Sequence, residues 1–491
     1  MNQSTKEKVF IAMMPYLRPD APPLSLAILK GVFSTYGVQC KTYDLNLEVL
    51  NFFTKDEIQL LEKFCSDGVW KNKNIVKKIR KFFRHSIKKY IMPFKPTIVG
   101  ASLFSFFMQR PTELFCLELK NLLPEVSIFL GGSGVTKFLR NKSYDDWSKK
   151  IIKQGLVDHV IIGEGEQAVI DFLKNKNQGI RIVPQIKDLA AFSSIPDFND
   201  IEISKYQNTV AFTSEKTIPI TGSRGCVRKC SFCNVDALWP KFVFKPAKQI
   251  VNEMETFMSK HKIKNFKFTD SLINGSNKQW RELNLEIIKR KLNLNYSGQF
   301  IAKPIGQTTE EDYDLAKEAG CKKLWIGIES GSESVRNHMR KKFDNHSLYT
   351  MIENLSKRKI KQEWMLITGY PTETDKDFQQ TLDLIKKFKK YKDLISLSFV
   401  SFVLLPDSPI VWDDKYNDLN FISEKSEEGS IVNYWICKQN PVLNFKKRLE
   451  RFTTAKNLGI ELGYTSTNKD KFKKTIMNYT DKESYETQIH S

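Results

Sequence analysis

Cys226-Val-Arg-Lys-Cys230-Ser-Phe-Cys233 gathers three thiols within eight residues of a 491-residue chain that has eight cysteines in all. Thiolates are the soft ligands that zinc and iron-sulfur clusters select. A structural zinc site asks for four ligands, and neither a fourth cysteine nor a histidine follows at finger spacing. Three thiolates on a 4Fe-4S cluster leave one iron with an open corner, at which a small molecule can bind directly. A zinc site and three incidental cysteines are the other readings. The remaining cysteines are too few and too scattered for a disulfide framework.

A loop of this kind needs a frame. Directly before it, 218–222 reads as an apolar strand, and further candidate strands follow at 265–269, 294–302, 322–328, 363–369 and 395–405, each separated from the next by a plausible helix. Six βα units in succession predict a partial (β/α)6 barrel, whose sites lie in the loops at the C-terminal strand ends. Asp270 and Ser271 follow the second strand, Gln299 sits late in the third, Glu329, Ser330 and Gly331 end the fourth, Gly369, Pro371 and Glu373 end the fifth, and Pro406 and Asp407 end the sixth. One rim would then collect thiols, carboxylates and glycines suited to a zwitterionic ligand. Each also has a plainer reading: Asp270 and Ser271 as a helix cap, Glu329 as a solvated turn residue, Gly369-Tyr370-Pro371 as a turn.

The first half has its own rhythm. A strand from Lys8, a loop with Pro19, Pro22 and Pro23, a helix (LSLAILKGVFSTYG) and a strand at 38–43 make a βαβ start. After a basic helical insertion come strands at 97–104, 126–130, leading into Gly131 and Gly132, and 158–162. Such alternation predicts a doubly wound parallel sheet. The fold class is therefore α/β, with an N-terminal domain at 8–190, a linker at 191–215 carrying Pro196, a barrel at 216–410, and a small, mostly helical C-terminal region at 411–491 with a helix at 442–458 and a polar tail from Ser466.

With Phe232 beside its last cysteine, the CxxxCxxC loop resembles the signature of the radical S-adenosylmethionine (SAM) superfamily, and FTDSLING, GIESGSE, GYPTET and LLPDS resemble the segments at the same strands. The resemblance implies that Cys226, Cys230 and Cys233 hold a 4Fe-4S cluster, that its open iron chelates SAM, and that reductive cleavage yields a 5'-deoxyadenosyl radical. It places Phe232 near the adenine and makes Asp270, Ser271, Gln299, Glu329, Ser330, Gly369 and Pro371 SAM-binding candidates. The general acid or base is not distinguished by spacing; Tyr370, Gln299, Lys303 and Cys321 are the residues near the rim, and Cys321 and Cys437 also read as ordinary buried cysteines.

Over 8–190, the strand at 97–102, Gly131-Gly132, the PPLSLAILKG helix and VIIGEGEQAV resemble the cobalamin (B12)-binding domain fused to many radical SAM enzymes. Ser102, Gly131 and Gly132, with Gly163 and Gly165, are the matching positions, small enough for close approach of a nucleotide tail. The family's DxHxxG motif is missing, and the first histidine is His85; radical SAM members often lack that axial ligand. The resemblance implies methylation or rearrangement of an unactivated carbon. Its alternatives are a cobalamin-free radical enzyme with a degenerate N-terminal domain and a non-catalytic iron-sulfur protein that binds nucleic acid. Gly163-Glu-Gly165-Glu-Gln-Ala168 also fits a loose dinucleotide pattern, but its two glutamates would repel a pyrophosphate. A tRNA methylthiotransferase is disfavoured, because Cys40, Cys65 and Cys116 are too far apart to form a second cysteine set.

No apolar run approaches the ~18 residues of a membrane span, and residues 1–8 are polar rather than leader-like, so the expected location is the cytoplasm. The net charge is +21. Its densest stretch, 71–90, interleaves Ile, Val and Phe with Lys and Arg at helical spacing; it reads first as an amphipathic helix with a solvated face, and second as a nucleic-acid or membrane-surface face. Expected partners are a small-molecule or peptide substrate and an electron donor such as a flavodoxin or ferredoxin, with nucleic acid less favoured.

Overall fold

A computed structural model describes residues 7–61, 67–135, 145–174, 179–191, 194–206, 215–405, 407–423 and 435–466. The chain forms two compact units, one of Met1–Val227, Asn234–Gly275 and Leu285–Tyr296, the other of Arg228–Cys233, Ser276–Asn284 and Ser297–Ser491.

In the first unit, β1 (Lys8–Met13), β2 (Gln39–Asp44), β3 (Ile98–Ser102), β4 (Ser127–Gly131), β5 (His159–Gly163) and β6 (Gly179–Val183) form one sheet in the order β2-β1-β3-β4-β5-β6. Every pairing is parallel. The cause lies in composition: Val9, Phe10, Ile11 and Ala12 are at most 1% exposed, as strands covered on both faces must be. Strand order reverses between β1 and β3, the place where such sheets open a crevice beyond their carboxyl ends. The sequence reading missed β6, an edge strand (GIRIV) in which only Val183 is buried. A strand so lightly buried carries no apolar run to find it by.

The basic stretch folds as a helix, Lys73–Ser86, capped by Asn72, whose side chain accepts from the Asn74 and Ile75 amides. Ile75, Ile79, Phe82 and Phe83 join the core of this unit. Its apolar face is therefore covered by protein, as the amphipathic reading expects. No helix among the described residues is long and apolar enough to cross a membrane.

The second series opens in the same unit with β7 (Thr217–Ile220), then a two-residue antiparallel ribbon of β8 (Ser223–Arg224) and β9 (Val243–Phe244), then β10 (Asn265–Phe268) parallel to β7. β11 (Asn295–Phe300) follows. In the second unit, β12 (Cys321–Glu329), β13 (Lys361–Thr368) and β14 (Ile395–Ser401) pair in parallel, an antiparallel hairpin joins β15 (Phe421–Ser423) to β16 (Trp435–Cys437), and β17 (Thr465–Ser466) lies parallel to β14. The strand order is β17-β14-β13-β12-β11-β10-β7. Three readings need correction. The sixth strand stops at Ser401 rather than 405, the C-terminal region carries the β15–β16 hairpin besides its helix, Phe445–Glu461, and Ser466 belongs to β17 rather than to a loose tail. Pro406, part of the 191–215 linker and the chain beyond 466 lie outside the described residues.

Candidate functional site

In the first unit the residues just ahead of Cys226 are fixed from two sides. Asp270, 4% exposed, accepts from the Gly222 amide at 2.8 Å and from the Ser223 hydroxyl at 2.5 Å. It caps no helix, since the next one begins at Asn277. Burial pushes its carboxyl up to about 7, against hydrogen bonds from Ser223 and Gly222 that favour the charged form. On the other side Arg224 donates to Glu164 Oε2 at 2.6 Å and to both oxygens of Glu166, while Trp239 Nε1 donates to Glu164 Oε1 at 2.9 Å. The two glutamates of the dinucleotide-like pattern thus serve a guanidinium rather than facing a pyrophosphate.

Asp270→Ala leaves two buried donors without an acceptor and is expected to cost about 2–4 kcal/mol in urea unfolding. The pH dependence has a definite sign. Between about pH 4 and pH 7 the unfolded Asp270 has lost its proton and the folded one keeps it, so its contribution falls as pH rises across that window, by a few kcal/mol. Asp270→Asn is expected to flatten this part of the stability profile; an unchanged slope between pH 4 and 7 would refute the assignment.

Cys226 belongs to the first unit and is half-buried; Cys230, 8% exposed, and half-buried Cys233 belong to the second. Among the described residues no three His, Cys, Asp or Glu side chains already stand together as a metal-ion cage. The donor chemistry nonetheless fits an iron-sulfur cluster: the three thiols lie on one irregular loop, whereas Cys116, Cys321 and Cys437 are at most 1% exposed inside the packed interior. Cys321 opens β12, eight residues before Glu329 and on the order of 25 Å along the strand, so it does not belong to the rim.

In the second unit the loop residues between the cysteines are anchored. Ser231 donates its amide to Met339 O at 3.2 Å and accepts at its own carbonyl from the Ile410 amide at 2.7 Å. The Ser231 and Tyr370 hydroxyls are 2.7 Å apart, and the Tyr370 hydroxyl is 2.8 Å from His338 Nδ1. Tyr370 is fully buried, which holds its phenol well above the usual range.

Glu329 lies at φ +67°, rare for a residue with a Cβ, and is 7% exposed, so it is no solvated turn residue. Lys341 Nζ donates to its Oε1 at 2.9 Å and stands 5.9 Å from the Phe232 ring centroid, which brings Phe232 and Glu329 to one place. Ser330 Oγ accepts from the Ser332 amide at 3.1 Å, and the Gly331 amide donates to Thr381 at 2.9 Å. Gly369, φ +74°, donates its amide to Glu373 Oε2 at 2.8 Å; that oxygen is 2.9 Å from Arg451 Nη1. Pro371 is buried behind this turn, Gln299 is half-buried late in β11, and Ser271 is half-buried after Asp270. Lys341, Arg451 and Arg224 were missed from sequence, because each sits in an ordinary basic stretch and gains its role from a distant carboxylate.

At the strand ends of the N-terminal sheet the small residues divide by task. A Cβ on Gly132 (φ +97°) would lie 2.3 Å from Leu103 O, and one on Gly163 (φ +109°) 2.0 Å from Val183 O, so packing alone demands both glycines. Gly165 faces Leu29 at 3.1 Å. Around Gly131 a Cβ would meet nothing nearer than 3.9 Å, and Ser102, its partner in β3, is 8% exposed, so there is room for a side chain beside Gly131. His85, on the basic helix, stands 3.4 Å from Glu48, and His159 begins β5, at the opposite end of that strand from Gly163. Gly132→Ala is expected to destabilise the protein by about 2–4 kcal/mol in chemical denaturation, while Gly131→Ala costs less than about 1 kcal/mol.

Residues 220–385 match the model of the radical SAM superfamily. The chain is 27% identical over 298 residues to the bacteriochlorophyllide d C-12(1)-methyltransferase of Chlorobaculum tepidum, covering 55% of this chain and 60% of that protein. It is 22% identical over 325 residues to the anaerobic magnesium-protoporphyrin IX monomethyl ester cyclase of Rubrivivax gelatinosus, covering 61% and 56%. The chain thus spans little more than half the length of these curated relatives. Among solved structures it superposes on the radical SAM methyltransferase TsrM of Kitasatospora setae, with tryptophan and aza-SAM bound, at a TM-score of 0.65, 15% identity, covering 98% of this chain and 100% of that one. With the cobalamin-dependent SAM radical enzyme OxsB, aqua-cobalamin bound, the TM-score is 0.62 at 13% identity, covering 87% and 64%. At such identities these two matches establish the fold alone: a doubly wound parallel sheet followed by a partial (β/α) barrel.

Proposed function

We propose, since residues 220–385 are a radical SAM domain behind a sheet of the cobalamin-binding type, that the protein binds a 4Fe-4S cluster, SAM and cobalamin and methylates or rearranges an unactivated carbon. When bound, the cluster would supply the electron that splits SAM into a 5'-deoxyadenosyl radical, and cobalamin would carry a methyl group. The observation that carries this reading is the CxxxCxxC loop that follows β7 and the short β8 at the start of that domain, irregular in backbone, with Cys226 and Cys233 half-buried and Cys230 buried beside them.

The chain's own residues divide the remaining work. Cys226, Cys230 and Cys233 would ligate iron. Asp270 holds Gly222 and Ser223, and Tyr370 holds Ser231, so the loop enters and leaves its turn at fixed points. Phe232 and Glu329, joined through Lys341, would receive the adenosine and amino-acid parts of SAM, and Ser271, Gln299, Ser330, Gly369 and Pro371 are further candidates for contact with it. Ser102 and Gly131 would admit the cobalamin tail. The reading calls for a cytoplasmic setting, a low-potential donor such as a flavodoxin or ferredoxin, and a small-molecule or peptide substrate. Anaerobically reconstituted full-length protein is expected to show broad visible absorption from iron-sulfur, to retain cobalamin through gel filtration, and to form 5'-deoxyadenosine on reduction. Intact SAM in the reduced, iron-loaded sample would overturn the radical reading, and failure to hold added cobalamin would leave the cobalamin-free enzyme in its place.

A further inference from the structure

The basic helix is only half explained by the core it covers. From Lys73 to Lys89 the chain carries Lys73, Lys77, Lys78, Arg80, Lys81, Arg84, Lys88 and Lys89 and not one Asp or Glu. Lys78 pairs with Glu57 and Lys89 with Glu48. Arg80 and Arg84 share a single carboxylate, fully buried Glu118, at 2.6 and 2.7 Å. Burial would raise that carboxyl, yet hydrogen bonds from Arg84 and Arg80 hold it below its ordinary range. One buried anion thus fixes two guanidiniums that remain 41% and 50% exposed and still bear a net positive charge. Lys73, Lys77 and Lys81 stand one turn apart on the same outward face, all exposed and without an ion pair among the described residues.

This face is concave. Trp70, Lys73, Val76, Lys77, Arg80, Lys81 and Arg84 line a groove of 430 Å³, and Trp70, half-buried with part of its ring against the core, supplies an aromatic wall beside the cations. Cations at one-turn intervals along a groove, two of them pre-positioned arginines, with an aromatic face at one end, match a strand that repeats phosphates and offers bases for stacking. A lipid surface fits poorly, because an interfacial helix presents its apolar residues outward, whereas here Ile75, Ile79, Phe82 and Phe83 are at most 5% exposed.

We propose that this groove binds single-stranded RNA through its phosphodiester backbone, apart from the SAM-dependent chemistry. The test uses full-length protein and a fluorescein-labelled 20-mer oligouridylate, read by fluorescence anisotropy between 50 and 200 mM salt. About five phosphate contacts predict a log-log salt slope near −3.5, or roughly a 100-fold loss of affinity across that range. Lys73→Ala/Lys77→Ala/Lys81→Ala removes three exposed cations far from the core and should shallow the slope by about 2, with circular dichroism and melting unchanged. Trp70→Ala should weaken binding about 10-fold or more with the slope retained. No binding at 50 mM, an unaltered slope in the triple variant, or capture by phosphatidylserine vesicles that outcompetes the RNA would each overturn the proposal. The readout needs neither cluster nor SAM, so its outcome is independent of whether the radical chemistry is present.

Discussion

Cys230→Ala is expected to abolish 5'-deoxyadenosine formation in reconstituted protein, a loss of more than about 1,000-fold, or over ~4 kcal/mol of barrier. With one of three thiolates gone, no side chain on this loop can replace it: Val227, Arg228, Lys229, Ser231 and Phe232 offer iron no soft donor. Bound iron and visible absorption should fall with the activity. The fold should not, because the loop is irregular and its backbone is held elsewhere, at Ser231 by Met339 and Ile410. Cys116→Ala is the matched control. That thiol is 1% exposed within the core, so its removal should cost about 1 kcal/mol of stability and leave iron and turnover intact. Iron content and SAM cleavage unchanged in Cys230→Ala would remove the basis for the proposed function.

The second large effect is on stability. Arg451→Ala is expected to destabilise the protein by about 3–5 kcal/mol, because it strips the partner from a carboxylate that water cannot reach. Glu373 and Arg451 have side chains 0% and 5% exposed, and burial already pushes the Glu373 carboxyl up to about 7, against the attraction of Arg451. Without the guanidinium the folded acid keeps its proton to still higher pH, while the unfolded one ionises near its ordinary value. The deficit should therefore be larger at pH 8 than at pH 5. Glu373→Gln combined with Arg451→Met should recover most of the loss, since an uncharged pair of similar size carries no desolvation penalty. Equal deficits at both pH values in urea titrations would show that packing, not charge, is what the pair provides.

How much of this was legible beforehand follows from how local each signal is. The cysteine loop could be read as a pattern outright, since three thiols on eight residues stand out without any tertiary knowledge. Asp270 and Glu329 were found as polar residues at strand ends, but their partners were not: Glu329 meets Lys341 across twelve residues and Glu373 meets Arg451 across 78. A lysine within RKKF or an arginine in a basic helix looks solvated until the fold closes over it. The same limit applies to strands. β1 and β3 announce themselves by burial on both faces, whereas β6 is an edge with one buried residue, and β8 and β9, at two residues each, are too short to have a period. Gly132 and Gly163 stood out in the sequence as small residues at strand ends, and the fold adds a reason no pattern could show, close packing against the carbonyls of Leu103 and Val183.

Arg224 stands two residues ahead of Cys226, and of the carboxylates that grip it Glu164 follows β5 directly and Glu166 lies in the first turn of the helix Gly165–Lys174. Those acids tolerate each other's proximity only while that cation sits between them. A truncated gene product starting at the linker would keep Cys226, Cys230 and Cys233 yet release the approach to the first of them, and would leave a bare guanidinium where a clamp had been. The front half of the molecule is in that sense a jig for the cysteine loop as well as a candidate holder of its own cofactor, and domain-swapped chimaeras are expected to succeed only when donor and recipient carry this acid pair and this arginine together.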